Sequence, residues 1–453
     1  MSIPHVHPDA SVAPSSPREA ELLAKANEYS FRGRMDKRTI AGPVFERGRG
    51  SVVTDVNGKD YLDFNSGQMC AALGHNNPRI VEAIKESFDA LIHASSSYFN
   101  VAEIALAERL GTVVPRPLKK SMFLGSGSDS NEAAVTIAKK YTGGFEVASP
   151  HVSFHGFSEA SRALTFAGWH AGYGPMIPGS YAMMAPYCYR CPVNQTFPSC
   201  ELACLKGSME LLDAQSTGNL AAVITEPLFS AGGVIEPPPG WLGAVRTACH
   251  DRGMLLIFDE AQTGLGKLGT MFACEQEGVI PDILTLSKHF GGGLEISGVV
   301  TTPEIEDVVS SRGLVIGHSH TNDPIACHAG LASLTLIVED SLPDRAQRVG
   351  KSWKTRLEAL AAKHEIIGDV RGRGLIQGIE LVRDREGKAP HFEAGRGITQ
   401  HCLARGLLFS LRRNGSVLRF VPPFYTTEEQ MDRAAEILDA AITATLDTLA
   451  GAR

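Results

Sequence analysis

Ile283-Leu-Thr-Leu-Ser-Lys288, followed at once by Gly291-Gly-Gly293, decides how this chain is read. A short apolar run closed by a lysine and then by glycines describes a buried strand whose carboxy end carries a charge. Open α/β sheets place their chemistry at such ends. A second run, Met254-Leu-Leu-Ile-Phe258, ends in the same manner at Asp259-Glu-Ala-Gln262. Two strands that bring a lysine and an aspartate to one rim suggest a pyridoxal phosphate site, with Lys288 forming the Schiff base and Asp259 keeping the ring nitrogen protonated. Lys288 must lose a proton to act as nucleophile and then as base, which burial promotes. Asp259 taken alone reads equally well as a helix N-cap.

Working outward, Gly125-Ser-Gly-Ser-Asp-Ser-Asn-Glu132 precedes the helical Ala133 to Lys140, so small residues with free N–H groups lie at a helix N-terminus. This stretch is either a phosphate cradle or a turn capped by a box of Asp129 and Glu132. Gly264-Leu-Gly-Lys-Leu-Gly269 matches G-x-G-x-x-G, but the dinucleotide fingerprint directly follows a strand and opens a long helix, whereas Asp259 to Thr263 intervene here. Between about Pro78 and Thr335 helical stretches alternate with apolar runs (145–148, 220–224, 254–258 and 298–301), which predicts a mostly parallel sheet covered on both faces.

Residues 1 to about 30 read as an arm, helical from Arg18 to Tyr29, and Ser51 to Phe64 as a hairpin around Asn57-Gly58. After Glu339 the pattern changes to a long helix around Arg345 to Lys363, then Gly368 to Leu375, the strand-like Ile376 to Val382, and a last helix opened by a capping box, Thr426-Thr-Glu-Glu429. The expected division is 1–75 as arm and part of a small domain, 76–337 as the large cofactor domain, and 338–453 as the rest of the small domain.

A net charge of −7 lacks the basic excess that nucleic acid or an anionic membrane demands, so neither is an expected partner. Met1-Ser-Ile-Pro-His-Val-His-Pro8 has no signal-peptide pattern, and no apolar run reaches transmembrane length, so the expected location is cytoplasmic. The odd count of nine cysteines suits reduced thiols.

Asp259-Glu-Ala-Gln262-Thr-Gly, with Asp282-Ile-Leu-Thr-Leu-Ser-Lys288 at matching spacing, resembles the class III aminotransferases, and within them the 2,2-dialkylglycine decarboxylases. The likeness runs through Leu62-Asp-Phe-Asn-Ser-Gly-Gln-Met69, Ser216 to Ala222, Gly269 to Cys274 and Gly368 to Gly374. It implies an aspartate-aminotransferase-like fold, with a seven-stranded sheet and a smaller α+β domain, and a homodimer that can pair into a tetramer. By the same resemblance Lys288 is the Schiff-base lysine, Asp259 the ring-nitrogen partner, Gln262 the neighbour of the ring hydroxyl, and Ser126, Gly127 and Ser128 the phosphate loop. Phe154, His155 and Glu226 then line the cofactor, Ser319 reaches the partner's phosphate, and Arg419 grips the substrate carboxylate. Gln68, in Ser-Gly-Gln-Met, corresponds to the glutamine that holds a carboxylate perpendicular to the ring and so selects loss of carbon dioxide.

The implied reaction is decarboxylation of a dialkyl amino acid such as 2-aminoisobutyrate or isovaline to a ketone, followed by amination of pyruvate or another 2-oxo acid. Plain transamination or racemisation is the rival; a nicotinamide oxidoreductase and a metal-stabilised binding protein are the distant ones. Three positions depart from the decarboxylase pattern: Phe154 replaces a tryptophan, Ala231 a serine and Ser319 a threonine. The resemblance also implies an alkali ion, for which Ser96, Ser319, Thr321 and Asp323 offer hard oxygens. Cys188, Cys191, Cys200 and Cys204, in an insertion, suit zinc, an iron–sulfur cluster or simply free thiols.

Overall fold

The structure, a computed structural model, describes residues 14–31, 43–168 and 170–451. The stretch Met1 to Pro8 lies outside the described residues. The arm helix spans Pro17–Tyr29, capped by Ser16. A hairpin follows: β1 (Phe45–Arg49), β2 (Val52–Asp55) and β3 (Asp60–Asp63) pair antiparallel, with Asn57-Gly58 at the turn between the last two.

The large sheet contains β4 (Lys120–Leu124), β5 (Glu146–Pro150), β6 (Ser180–Met183), β7 (Leu220–Thr225), β8 (Leu255–Asp259), β9 (Ile283–Leu286) and β10 (Ser297–Thr301). Their order is β4-β10-β9-β8-β7-β5-β6, and only β10 runs against the rest. Every residue of β5, β8, β9 and β10 is buried. A strand covered on both faces cannot alternate polar and apolar residues, which is why these segments read as continuous apolar runs. Two apolar clusters fill the faces, one around Trp241, Phe258 and Phe290, the other around Ile137, Ile224 and Ile257.

A further sheet contains β11 (Ile367–Arg373), β12 (Ile376–Leu381), β14 (Ser410–Arg412) and β15 (Val417–Phe420), in the order β11-β12-β15-β14; the two-residue β13 (Leu407–Leu408) pairs with β3 instead. Its cluster of apolar side chains joins Phe64, Trp353, Ile379, Phe420 and Leu438, so the chain's early hairpin and its last helix share one core. The long helix begins earlier than the sequence pattern suggests, at Leu342, and ends at Lys363.

Two capping boxes shift in register. At the cradle the box is Ser126 with Asp129, because the helix Gly127–Thr142 starts before Asp129; Glu132 instead accepts the N–H groups of Ala160 and Ser161. At the last helix, Glu428–Gly451, Thr427 and Gln430 form the box, while Thr426 is buried against Ser51. Among the described residues no single helix is long and apolar enough to cross a membrane.

Candidate active site

Five strands of the large sheet end at one rim, and each delivers a side chain there. β4 leads into Ser126, Gly127 and Ser128; β5 into Phe154 and His155; β7 into Glu226; β8 ends at Asp259, with Gln262 just beyond; and β9 runs into Lys288. All of these line one cavity of about 510 Å³, together with Gln68 and Arg419 from outside the large sheet. Common strand direction is what brings them together, since parallel strands share a carboxy edge.

Asp259 is almost fully buried and immobilised. Its Oδ2 accepts from His155 Nδ1 at 2.9 Å and Asn131 Nδ2 at 2.8 Å, and its Oδ1 from the Ala261 N–H at 3.0 Å. Asn131 is held in turn by the Thr285 hydroxyl, 2.7 Å away. Asn131 was not singled out from the sequence, although it lies within the quoted cradle motif. Five residues beyond Ser126 on the same helix, it faces the sheet.

Lys288 adopts φ +56, a left-handed conformation that costs a β-carbon-bearing residue roughly 1 kcal/mol or more. Burial lowers its proton affinity, aided by the Arg419 cation and opposed by Cys70, Asp259 and Glu226. The amine is thereby moved toward the neutral, nucleophilic form. Glu226 is pushed up to about 8 by burial and by the nearby Asp259 charge. Its two oxygens accept the N–H groups of Phe154 and Ser230, both at 3.1 Å, so it fixes the loop that carries the Phe154 ring.

At the cradle, the Ser126 N–H is occupied by Asp129, while those of Gly127 and Ser128 find no acceptor among the described residues. Two free donors at a helix N-terminus suit a phosphate. The space is tight: a β-carbon on Gly156, at φ +139, would lie 2.3 Å from Ser128 Oγ.

Arg419 is completely buried on β15, an interior strand of its sheet. Nε donates to Ser410 Oγ at 3.0 Å, and Nη1 to Ser230 Oγ at 3.0 Å and Gln262 Oε1 at 3.2 Å, but Nη2 has no partner. Burial and the neighbouring Arg412 push its proton affinity far down. A guanidinium nevertheless stays charged in proteins, and the buried Nη2 is left to be met by an anion. The donor set therefore fits pyridoxal phosphate at one end and a carboxylate at the other.

Comparison with known proteins agrees with this geometry. The family model for aminotransferase class-III matches residues 35–442. The chain belongs to the class III aminotransferases. An uncharacterized aminotransferase of Schizosaccharomyces pombe is 39% identical over 416 residues, covering 91% of this chain and 93% of that protein. A leucine/methionine racemase of Thermococcus litoralis is 34% identical over 414 residues, covering 89% and 91%. Among solved structures, an (S)-enantioselective omega-transaminase from Thermomicrobium roseum superposes with a TM-score of 0.88 at 30% identity, covering 94% of this chain and 99% of that one. As a class III aminotransferase the chain uses pyridoxal phosphate, and the fold is the aspartate-aminotransferase-like one of its structural neighbours.

Other sequence expectations fare differently. Gly264 to Gly269 forms turns between β8 and β9 and opens no helix, so the dinucleotide reading is set aside. Ser319 is exposed and does not line the cavity of its own chain. Of the oxygens considered for an alkali ion, Ser96 and Ser319 are exposed. Thr321 and Asp323 are buried, and both Asp323 oxygens face imidazoles, His93 Nδ1 at 2.7 Å and His320 Nδ1 at 2.5 Å. Cys188 is exposed, Cys204 is buried, and no three of the four patch thiols lie within 4.8 Å of one another. Cys200 precedes the helix Ala203–Gln215 that holds Cys204. The sequence reading missed Arg396, Arg412 and Arg413, which line the outer cavity from a helix, the end of β14 and the turn after it, without a recognisable motif.

Proposed function

We propose that this class III aminotransferase is a decarboxylating transaminase of 2,2-dialkylglycines. The observation that carries the reading is that Gln68 and Arg419 line the same cavity as Lys288, giving a substrate carboxylate two alternative seats. When bound, pyridoxal phosphate withdraws electrons from whichever bond at the substrate's α-carbon stands perpendicular to its ring. A carboxylate seated by the Gln68 amide would be the one lost as carbon dioxide. A 2-oxo acid seated by Arg419 would take up the amino group in the other half of the reaction. Lys288 Nζ moves the proton in both halves, Asp259 maintains the charge on the ring nitrogen, and the N–H groups of Gly127 and Ser128 hold the phosphate.

For 2-aminoisobutyrate and pyruvate the balance is acetone, carbon dioxide and alanine in equal amounts. Residues 76–337 bind the cofactor, and 338–453 with part of 1–75 complete the substrate side. The working unit is a homodimer, a reading supported by the exposure of Ser319 away from its own chain's cavity.

The test is a panel of dialkyl and monoalkyl amino acids scored for both carbon dioxide and new amino acid. Equimolar acetone, carbon dioxide and alanine from 2-aminoisobutyrate is the expected result. Turnover of α-hydrogen substrates with no carbon dioxide from any dialkyl substrate would replace the reading with plain transamination or racemisation, the activity named for the Thermococcus relative.

A further inference from the structure

Gln68 sits on a loop that has to be held in place. Ser66, Gly67 and Met69 all take left-handed conformations, with φ of 49, 63 and 68. Only one of the three is a glycine, so the loop does not hold this shape by preference. One side chain gathers it: Asp63, at the end of β3 and only 3% exposed. Its Oδ1 accepts the Asn65 N–H at 3.0 Å, and its Oδ2 accepts the Gly67 N–H at 2.5 Å and His75 Nε2 at 2.7 Å. His75 is anchored by paired backbone bonds to Gly50, at 3.0 and 2.8 Å. The loop is also tied to the strand bearing Arg419, since Ser66 Oγ donates to the Val421 carbonyl at 2.6 Å.

We propose that Asp63, braced by His75, is a positioning residue that fixes the Gln68 amide and thereby sets which bond of the substrate is broken. Asp63 does not line the cavity that holds Lys288. The N–H groups of Asn65 and Gly67 converge on one buried carboxylate, which defines the turn immediately before Gln68 far more tightly than the sequence of that turn can. The inference rests on the reading of Gln68 given above.

The experiment uses holoenzyme and L-alanine, which offers both a Cα–H and a Cα–carboxylate bond, and measures the ratio of carbon dioxide to pyruvate. Gln68→Ala is expected to lower that ratio about tenfold, the scale of one lost hydrogen bond to a charged group. Asp63→Asn should lower it roughly fivefold, and His75→Gln two- to threefold, because part of the same network remains. Asp63→Glu should restore part of the ratio. General damage to the fold lowers both products alike and leaves the ratio unchanged, so the ratio separates positioning from stability. Where Asp63→Asn fails to fold, His75→Gln carries the test. A shift with Gln68→Ala but none with Asp63→Asn or His75→Gln overturns the positioning role alone. No shift with Gln68→Ala overturns the Gln68 reading and this inference with it.

Discussion

The inner wall of the cavity and its outer wall are made by different means. The inner wall stands on the carboxy ends of five strands, and its key carboxylate, Asp259, is pinned by a histidine, an asparagine and a backbone N–H. The outer wall is a left-handed loop carrying Gln68 and a β-strand carrying Arg419, linked through Val421 to Ser66 and Phe64. Strand ends in a buried sheet have little freedom, so chemistry placed there is fixed; loops and a second, separately packed sheet can change without disturbing it. The difference teaches how the proposed division would work: cofactor chemistry on the rigid wall, choice of reaction on the adjustable one.

Breaking the inner wall should have the largest consequence. Lys288→Ala is expected to cost on the order of 10²–10⁴ in kcat and to abolish the covalent bond to the cofactor, as followed by borohydride reduction and peptide mass. On the outer wall, Arg419→Gln should lower kcat/KM for 2-oxo acids about 30-fold, corresponding to about 2 kcal/mol, while leaving bound cofactor in place. Arg419→Lys should not rescue it, because an ammonium cannot reproduce the fork. Loss of cofactor in the Arg419 variant would erase the distinction between the walls.

The seam between the walls offers a pH test. Lys267 is fully buried, donates to the Pro422 carbonyl at 2.7 Å and lies over the Phe424 ring. Burial lowers its ammonium to about 7, against the opposing pull of Asp63. Between that value and its ordinary value of 10.5 the folded protein binds fewer protons than the unfolded chain. Stability from this group therefore rises with pH across that window and is lost as pH falls toward 7. Lys267→Met should remove that rise in Tm, as measured by thermal scans between about pH 7 and 10. Smallest of all, Thr427→Ala removes the N-cap of the last helix and should cost about 1 kcal/mol by denaturant titration, with kcat unchanged.

Much of the inner wall was legible in the sequence. β8 and β9 announce themselves because strands buried on both faces are continuously apolar, and Asp259 and Lys288 stand out as charges at their ends. β4, Lys-Ser-Met-Phe-Leu, is half exposed at the sheet edge and lacks that signature. β11 was obscured by its alternating glycines and arginines. The outer wall was harder to see. Arg419 and Gln68 were found through the family likeness, and Arg396, Arg412 and Arg413 were not found at all, because a helix face, the end of a three-residue strand and the turn after it carry no shared motif. Likewise Asp63 and His75 are 12 residues apart, and nothing in the sequence says that the loop between them folds back on one carboxylate. The cap registers missed by one helix start because Ser126 and Thr427 compete with equally suitable neighbours.

The most direct measurement is the ratio of carbon dioxide to pyruvate formed from L-alanine by Gln68→Ala holoenzyme, recorded beside its cofactor absorption spectrum. A ratio about tenfold below that of the unaltered protein with the spectrum unchanged is the expected result, the adjustable wall having lost one hydrogen bond to a charged group while the fixed wall is intact. An unchanged ratio would contradict the division of labour between the two walls.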